Sequence, residues 1–453
     1  MDAGEVIELD VTDVAHGGVF VARHEGRVVF VEGALPGERV RAELTDTAKA
    51  SFWRADVVEV QDASPHRRPH VWAAADVSVP PEDRPGGADF GHIALAEQRA
   101  LKKRVLDDAL ARFGGIPDPA TTLSPADGDA ADGLRWRTRV SLHVDADGRV
   151  GPYAARSHRV VPVSDLPLAT AGIGEVARGL EGFAPGRIDL VQPADGRIRV
   201  IVRPDRPDRP VHSDAPGGAG ESGRPGSRRS GSARSARRPV RAPRPPEDPT
   251  AHEVVEEIVG DRRFVVDAGG FWQVHRRAAA TLTRAVRAGL DAAGGVDPGA
   301  HHLDLYGGVG LFAAALGDAG GPSTRVTSVE ADARATEHAG TNLAEWVGAR
   351  AESERTDRYL TRLVAQAGAA ERARLARGVV LLDPPRAGAG RAVVEGIAAL
   401  APASVVYVAC DPVALARDIG TFRAHGYEPL RIDAFDLFPH SHHVEAVAVL
   451  RRA

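Results

Sequence analysis

The chain has one cysteine, Cys410, which directly follows a predicted buried strand at residues 404–408. A thiolate is a strong nucleophile, and ligands of doubly wound sheets bind beyond the carboxyl ends of the strands. This position therefore favours a chemical role over that of a buried, inert thiol. Glu445 leads into the apolar run 446–450, where burial would raise its pKa and suit it to proton abstraction. The pair offers a nucleophile and a base.

A glycine-rich turn provides a candidate cofactor site. Residues 303–310 read LDLYGGVG, after a predicted strand at 302–306 and before a helical run at 311–316. Glu330 ends the next predicted strand, where an acid can accept hydrogen bonds from both ribose hydroxyls. Because the G-x-G-x-x-G pattern is absent, a dinucleotide is disfavoured. A nucleoside cofactor without a pyrophosphate, such as S-adenosylmethionine, fits better.

These groups combine in one reaction, methylation of carbon 5 of uracil. Asp383 ends a third predicted strand and should lie at the same sheet edge as Glu330 and Cys410. A thiolate that adds to carbon 6 turns carbon 5 into a nucleophile towards a sulfonium methyl group. A base must then remove the proton from carbon 5 before the thiolate leaves. Cys410 and Glu445 would fill these two roles.

Two structural alternatives remain open. The glycines after residue 306 also suit a plain turn, because glycine allows close helix–sheet packing. Three histidines, His440, His442 and His443, could instead ligate a metal together with Glu445.

Several short segments form an ordered set of motifs along the chain. They are Phe271-Trp272-Gln273, residues 304–310, Val329-Glu330, residues 383–386, Cys410-Asp411-Pro412 with Arg417-Asp418, Phe438-Pro439, and His443-Val444-Glu445. Together they resemble the RNA 5-methyluridine methyltransferases with an N-terminal TRAM domain, over nearly the whole chain except residues 203–250. The resemblance implies contacts to S-adenosylmethionine from Gln273, Tyr306, Glu330 and Asp383. It also implies that Cys410 is the nucleophile and Glu445 the base.

The resemblance extends to the first 60 residues, which look like the TRAM barrel, an RNA-binding module. Its most recognisable stretch is residues 34–40, ALPGERV. These 60 residues hold 12 acids against 6 bases, an unusual balance for contact with phosphates. Residues 222–246, by contrast, hold eight arginines and no acid. We expect RNA as the partner, with few phosphate contacts in the barrel or with this basic stretch supplying the attraction.

One feature of many family members is missing from the sequence. They carry a four-cysteine iron–sulfur cluster, and the aligned positions here are Val79, Pro85, Ala88 and Leu166. We therefore expect no iron–sulfur cluster.

The hydrophobic pattern predicts an α/β protein of several domains. Short alternating strands predict a small TRAM/OB-like β-barrel at 1–62, and mixed patterns predict a central α+β domain at 63–202 and 251–263. Residues 203–250, rich in Arg, Pro, Gly and Ser, predict a disordered insertion. Strands alternating with helices predict a Rossmann-like class I S-adenosylmethionine-dependent methyltransferase domain at 264–453.

Composition agrees with a folded enzyme. The 453 residues carry a formal net charge of −5 and are 43% hydrophobic, which excludes a polycationic or an acidic disordered chain. No apolar run is long enough to span a membrane and no signal peptide begins the chain, so we expect a cytoplasmic monomer without membrane contacts.

Two rival functions stay open at this stage. An RNA 5-methylcytosine methyltransferase uses similar addition chemistry but typically a second cysteine, and this chain has one. An RNA-binding or assembly protein that kept the fold would not need both Cys410 and Glu445. The sequence leaves open whether ribosomal or transfer RNA is the target.

Overall fold

The computed structural model describes residues 1–205 and 248–453. Most of the insertion predicted at 203–250 therefore lies outside the described residues. Among the described residues, no helix has both the length and the apolar character needed to cross a membrane.

The N-terminal strands close into a barrel in the order β1-β2-β3-β5-β4. They are β1 (Val6–Ala15), β2 (Val19–His24), β3 (Arg27–Glu32), β4 (Arg39–Asp46) and β5 (Phe52–Asp62). Buried and exposed residues alternate along them, so that Ile7, Leu9 and Val11 of β1 point into the barrel core. The predicted barrel is confirmed.

The central region combines helices with a small antiparallel sheet, ordered β10-β9-β7-β8. Its elements are α1 (Leu95–Phe113), β6 (Thr122–Pro125), β7 (Arg139–Val144), β8 (Val150–Gly151), α2 (Ala171–Arg178), β9 (Gly186–Val191) and β10 (Arg199–Pro204). Ile173 of α2 packs into the same apolar cluster as Leu142 and Ile188 of the sheet. The sequence pattern did not predict this short helix.

An eight-stranded sheet organises the C-terminal half, in the order β15-β14-β13-β16-β17-β19-β18-β6. The elements after the central region are β11 (Val254–Val259), β12 (Arg262–Asp267), α3 (Ala278–Ala292), β13 (His301–Leu305), α4 (Leu311–Gly320), β14 (Arg325–Glu330), α5 (Ala333–Asn342), β15 (Arg350–Ser353), α6 (Thr356–Gln366), α7 (Ala369–Ala376), β16 (Val379–Leu382), α8 (Arg391–Leu400), β17 (Ser404–Ala409), α9 (Pro412–Ala424), β18 (Tyr427–Asp436) and β19 (Glu445–Arg452). Within the group β13 to β17, every pair of neighbouring strands is parallel. Strand β19 lies between β17 and β18 and runs antiparallel to both. The predicted fold class is confirmed.

Both faces of this sheet are covered by helices. In β16, Val379 and Leu381 belong to the core that holds α3 and α4, whereas Val380 and Leu382 belong to the core that holds α6, α8 and α9. A strand buried on both faces must be apolar at every position, which explains the uninterrupted apolar runs in the sequence.

Two elements of the structure extend across the domain borders that the sequence predicts. The border between residues 263 and 264 falls inside β12, because β11 and β12 pair as one hairpin. Phe264 and Val266 of that hairpin pack with Leu282 of α3 in the core of the C-terminal domain. Strand β6, from the central region, pairs in parallel with β18 and becomes an edge of the large sheet.

Helix α1 connects the barrel to the C-terminal domain. Its Leu101 belongs to the barrel core and its Leu106 and Leu110 to the core beside α9. The fully buried Lys102 ammonium lies 2.5 Å from an oxygen of Asp436 and donates to the carbonyl of Phe438 at 2.9 Å. These contacts hold the end of β18 and the loop after it against the helix.

Two of the four positions aligned with iron–sulfur ligands lie at one apolar cluster. Ala88 is buried in a small apolar cluster with Trp72 and Trp136, and Leu166 packs against that cluster.

Candidate active site

A cavity of about 580 Å³ opens beside the carboxyl ends of β13, β14 and β16. All four residues predicted to bind the cofactor line it: Gln273, Tyr306, Glu330 and Asp383. The cavity lies within the volume range of small-molecule sites. Three of the four lie just after parallel strands of the sheet, and Gln273 comes from the loop between β12 and α3.

The glycine-rich turn has the backbone shape that a close approach to a ligand requires. Gly308 and Gly310 have φ angles of +54° and +88°, in the left-handed region that favours glycine. At Gly307 a Cβ atom would lie 2.0 Å from Ser328 Oγ, so packing excludes any side chain there. The Gly308 N–H donates to Glu330 Oε2 at 3.1 Å, which ties the turn to the acid at the end of β14.

These residues fit an adenosyl group. Glu330 presents carboxylate oxygens at the strand end where a ribose would lie, and Gly308 has open space at its Cβ position. Asp383 is a buried carboxyl whose pKa is raised to about 7, first by burial and then by the nearby Asp304.

The register of β17 and β19 brings Cys410 and Glu445 together. Ala409 lies opposite Ala446 in the antiparallel ladder, so the next residue of each strand, Cys410 and Glu445, meets the other at the sheet edge. Glu445 is buried and Cys410 is partly buried. The structure thus places both predicted catalytic residues beside Asp383 of the cofactor cavity, whose charge acts on both.

Burial and neighbouring carboxylates raise the pKa values of both groups. Burial, then Glu445 and Asp383, raise the pKa of the Cys410 thiol to about 12. Burial, then Asp383, raise the pKa of Glu445 well above its ordinary value. Arg386 opposes both shifts, so this side chain favours the thiolate and the carboxylate.

Arg386 follows the Pro-Pro turn after β16 and lines a second cavity of about 130 Å³ with Cys410. Its Nη2 atom donates to His443 Nε2 at 3.1 Å. Burial, followed by His442 and Arg386, lowers the pKa of His443 to about 3. The imidazole is therefore neutral at ordinary pH and accepts this hydrogen bond.

The barrel supplies one wall of the Cys410 cavity. His16 Nε2, in the turn between β1 and β2, lies 2.8 Å from Oδ2 of Asp411, the residue after Cys410. A Cβ atom at Gly18 would lie 2.7 Å from His442 Cβ and 2.8 Å from Asp89 Oδ2. The turn 16–18 thus packs directly on the segments that carry the nucleophile and His442.

The histidines after β18 have separate partners. His440 Nε2 bonds to the Asp132 carbonyl at 2.8 Å, and His442 Nδ1 lies 2.5 Å from Asp89 Oδ2. In residues 1–205 and 248–453, no three His, Cys, Asp or Glu side chains are grouped to hold a metal ion. The geometry therefore does not favour the metal-site alternative.

Known families match both ends of the chain. The TRAM domain matches residues 2–58, and the tRNA (Uracil-5-)-methyltransferase family matches residues 291–453. An uncharacterized RNA methyltransferase of Streptomyces avermitilis is 39% identical, covering 99% of each chain. The 23S rRNA (uracil(1939)-C(5))-methyltransferase RlmD of Halomonas elongata is 31% identical over 98% of this chain and 89% of its own.

The chain belongs to the RNA (uracil-C5)-methyltransferase family. A solved structure gives the same answer for the fold: the Pyrococcus abyssi tRNA (uracil-54, C5)-methyltransferase, in complex with S-adenosyl-L-homocysteine, aligns with a TM-score of 0.64. The two chains are 20% identical, with 98% of this chain and 99% of that one covered. In the residues that the structure describes, this methyltransferase therefore shares its overall fold with the Pyrococcus abyssi enzyme.

Sequence reasoning missed two residues around the site of this methyltransferase, His16 and Gly18. Both belong to a cluster that is typical of an ordinary turn. The only signal for the turn was the His16-Gly17-Gly18 cluster itself. Nothing in this cluster indicated that His16 contacts Asp411, which lies 395 residues away in the sequence.

Proposed function

We propose that the enzyme forms 5-methyluridine in ribosomal or transfer RNA through a covalent bond between Cys410 and carbon 6 of the uracil. The observation that carries this proposal is the pairing of Ala409 with Ala446, which makes Cys410 and Glu445 neighbours next to the cofactor cavity. S-adenosylmethionine, when bound, supplies an electrophilic methyl group. Gln273, Tyr306, Glu330 and Asp383 would hold it.

Cys410 acts first in this scheme. Its thiol must lose a proton, because the thiolate is the nucleophile. The sulfur then bonds to carbon 6, and the electrons of the 5,6 double bond move through carbon 5 to the carbonyl oxygen on carbon 4, which gives an enolate. With a pKa of about 12, the thiol is protonated in the free enzyme at neutral pH, so deprotonation belongs to the complex with substrate. Arg386 is the cation on this chain that favours it.

Glu445 acts last. After carbon 5 has gained the methyl group, the Glu445 carboxylate removes the remaining proton from that carbon. The electron pair re-forms the 5,6 double bond and expels the Cys410 thiolate. Burial suits Glu445 to this task, because a raised pKa makes its carboxylate a stronger base than an exposed one.

The proposal predicts a trapped adduct on RNA containing 5-fluorouridine. Fluorine leaves no removable proton on carbon 5, so methylation should proceed and then stall with the RNA bound to the protein. A band that resists denaturing electrophoresis and carries the transferred methyl is the expected result. Cys410→Ala should give no band, and an adduct from that variant would point to a different nucleophile.

A separate measurement identifies which class of RNA the enzyme methylates. Mass-spectrometric mapping of 5-methyluridine in ribosomal and transfer RNA from a strain lacking the gene should show one uridine unmethylated in one of the two pools. A full set of 5-methyluridines in both pools would contradict the proposed product, and a loss of 5-methylcytosine would favour the rival activity.

A further inference from the structure

A third cavity, of about 340 Å³, lies between the central sheet and the loop before α3. Arg203, Gly269 and Gly270 line both this cavity and the proposed cofactor cavity, so the two adjoin each other. Val274, the residue after Gln273, also lines it. We call it the central cavity.

Four arginines line the central cavity, and three of them pair with carboxylates. Arg187 and Arg203 both bond to Asp189, at 2.9 Å and 2.7 Å. Arg139 lies 3.3 Å from Glu257. Each of these three arginines therefore has a carboxylate partner within the fold, although Arg187 and Arg203 share one.

Arg137 is the exception. Its Nε donates to the carbonyl of Arg139 at 3.1 Å, and no carboxylate in residues 1–205 or 248–453 pairs with its guanidinium. Burial lowers the pKa of Arg137, and the charge of Arg386 lowers it further. A partly buried cation that feels the charge of another cation and has no carboxylate partner is costly, unless an anion joins it when a ligand binds.

Hydrogen bonds hold both the backbone and the side chain of Arg137 in place. Its backbone N–H donates to Leu168 at 2.9 Å and its carbonyl accepts from Thr170 at 3.0 Å. With Nε engaged by Arg139, the two terminal nitrogens remain for a planar, two-point contact with a phosphate.

The walls of the cavity suit the rest of a nucleotide. Trp72, Leu142 and Leu168 provide apolar surface, and the volume lies near the small end of the range for ligand pockets. Apolar walls with one unpaired cation match a base and its phosphate. Because Arg386 lines the Cys410 cavity, the unpaired charge of Arg137 lies near the path to the nucleophile.

We propose that Arg137 binds a backbone phosphate of the RNA strand next to the target uridine, and that the central cavity receives the adjoining nucleotide. The inference rests on the proposed function for the identity of the strand. It assigns a binding site outside both the cofactor cavity and the Cys410 cavity.

The test compares Arg137→Gln with Arg149→Gln. Arg149 is exposed in the β7–β8 turn of the same domain and pairs with Asp145, so the control removes the same charge at a solvated place. The probe is a labelled ten-nucleotide oligouridylate, titrated at several salt concentrations by fluorescence anisotropy. Arg137→Gln should weaken binding at least about tenfold and reduce the salt slope by about 0.7, the value for one lost phosphate contact on a single strand. Arg149→Gln should change both less than about twofold.

Thermal unfolding separates ligand binding from a structural role. Because Arg137 lacks a carboxylate in the described fold, Arg137→Gln should leave the melting temperature unchanged or raise it. A lower melting temperature together with weaker RNA binding would mean that Arg137 supports the fold, and would overturn the proposal. Unchanged RNA affinity and salt slope would overturn it as well.

Measuring S-adenosylmethionine binding distinguishes an RNA phosphate from the cofactor carboxylate as the anion that Arg137 contacts. The affinity for S-adenosylmethionine should stay the same in Arg137→Gln, and a loss would show that the anion met by Arg137 is the cofactor carboxylate instead. Since oligouridylate binding is measured without methyl transfer, a negative result leaves the proposed function intact. Failure of the parent enzyme to methylate RNA from the deletion strain would instead defeat the function.

Discussion

The proposed nucleophile and base, Cys410 and Glu445, both have raised pKa values. The charge of Glu445 raises the pKa of Cys410, and the charge of Asp383 raises the pKa of both groups. In the proposed reaction only Glu445 needs to be ionised at the last step, when its carboxylate accepts the proton from carbon 5. A buried, closely spaced set of acids therefore delays ionisation until substrate changes the surroundings.

Replacing Glu445 should separate the two chemical steps. Glu445→Gln keeps the size of the side chain but cannot accept the carbon 5 proton, so the variant should add to uridine, transfer the methyl and then fail to release it. Turnover should fall about a hundredfold to ten-thousandfold, with cofactor affinity nearly unchanged. Denaturing electrophoresis should show a methylated adduct on ordinary RNA.

Two controls sharpen that result. Glu428→Gln, an exposed position paired with Arg423, should behave like the parent enzyme. Cys410→Ala should give neither adduct nor product. Normal turnover by Glu445→Gln would remove Glu445 from the role of base. His443 would be a weak replacement, because its pKa is lowered to about 3.

At the scale of elements, the β1–β2 turn is the part of the barrel that contacts the catalytic strands. Gly17 and Gly18 both have positive φ angles, of +88° and +76°, but only Gly18 is packed against neighbours. The turn therefore offers two positions with similar backbone strain and different surroundings.

Gly18→Ala should disturb the active site and Gly17→Ala should not. Both substitutions carry the backbone cost of a left-handed residue, about 1 kcal/mol. At Gly18 the added Cβ also lies within 2.8 Å of His442 and Asp89, whereas at Gly17 it meets nothing within 4 Å. We expect Gly18→Ala to lose at least about tenfold in methylation rate relative to Gly17→Ala. Equal rates would show that the turn is not a wall of the active site.

The His16–Asp411 pair should make barrel docking depend on pH. Its hydrogen bond to Asp411 raises the pKa of His16 despite opposing effects of burial and of Arg417, and the pKa of Asp411 is lowered with help from His16. A raised histidine pKa gives stability that is present at low pH and lost as pH rises through the folded-state value. A lowered aspartate pKa gives stability that is lost as pH falls through its own value.

The pair should consequently be strongest in weakly acidic solution. Comparing the free energy of unfolding of the parent and His16→Gln, we expect a difference of about 0.5 kcal/mol at pH 6 that shrinks by pH 9. His16 is half exposed, which keeps this value small. A difference that grows with pH would contradict the assignment of charge to His16.

At the scale of the whole molecule, the basic residues that could attract RNA are unevenly distributed along the sequence. The barrel portion, with its 12 acids and 6 bases, is acidic, whereas residues 222–246 hold eight arginines and no acid. Electrostatic attraction to a phosphate backbone should therefore depend more on this stretch than on the barrel.

Deleting residues 213–246 should weaken RNA binding without affecting the cofactor. Affinity for RNA at low salt should fall about tenfold and its salt dependence should flatten, because fewer counterions are released. Replacing the eight arginines with serine at constant length should have the same effect. Loss of S-adenosylmethionine binding in the deletion would show that the stretch contributes to the fold of the catalytic domain.

Local patterns in the sequence were sufficient to predict the sheet and which side chains lie at its carboxyl edge. Strands buried on both faces appear as continuous apolar runs, and the carboxyl ends of parallel strands share one edge, so Glu330, Asp383 and Cys410 could be brought together from sequence. Glu445 required one more fact, the antiparallel insertion of β19 beside β17. The contacts of His16 with Asp411, the pairing of β6 with β18 and the missing partner of Arg137 came only from the tertiary structure. Each depends on segments far apart in the chain whose approach is set by packing, and packing leaves no periodic signal in either segment alone.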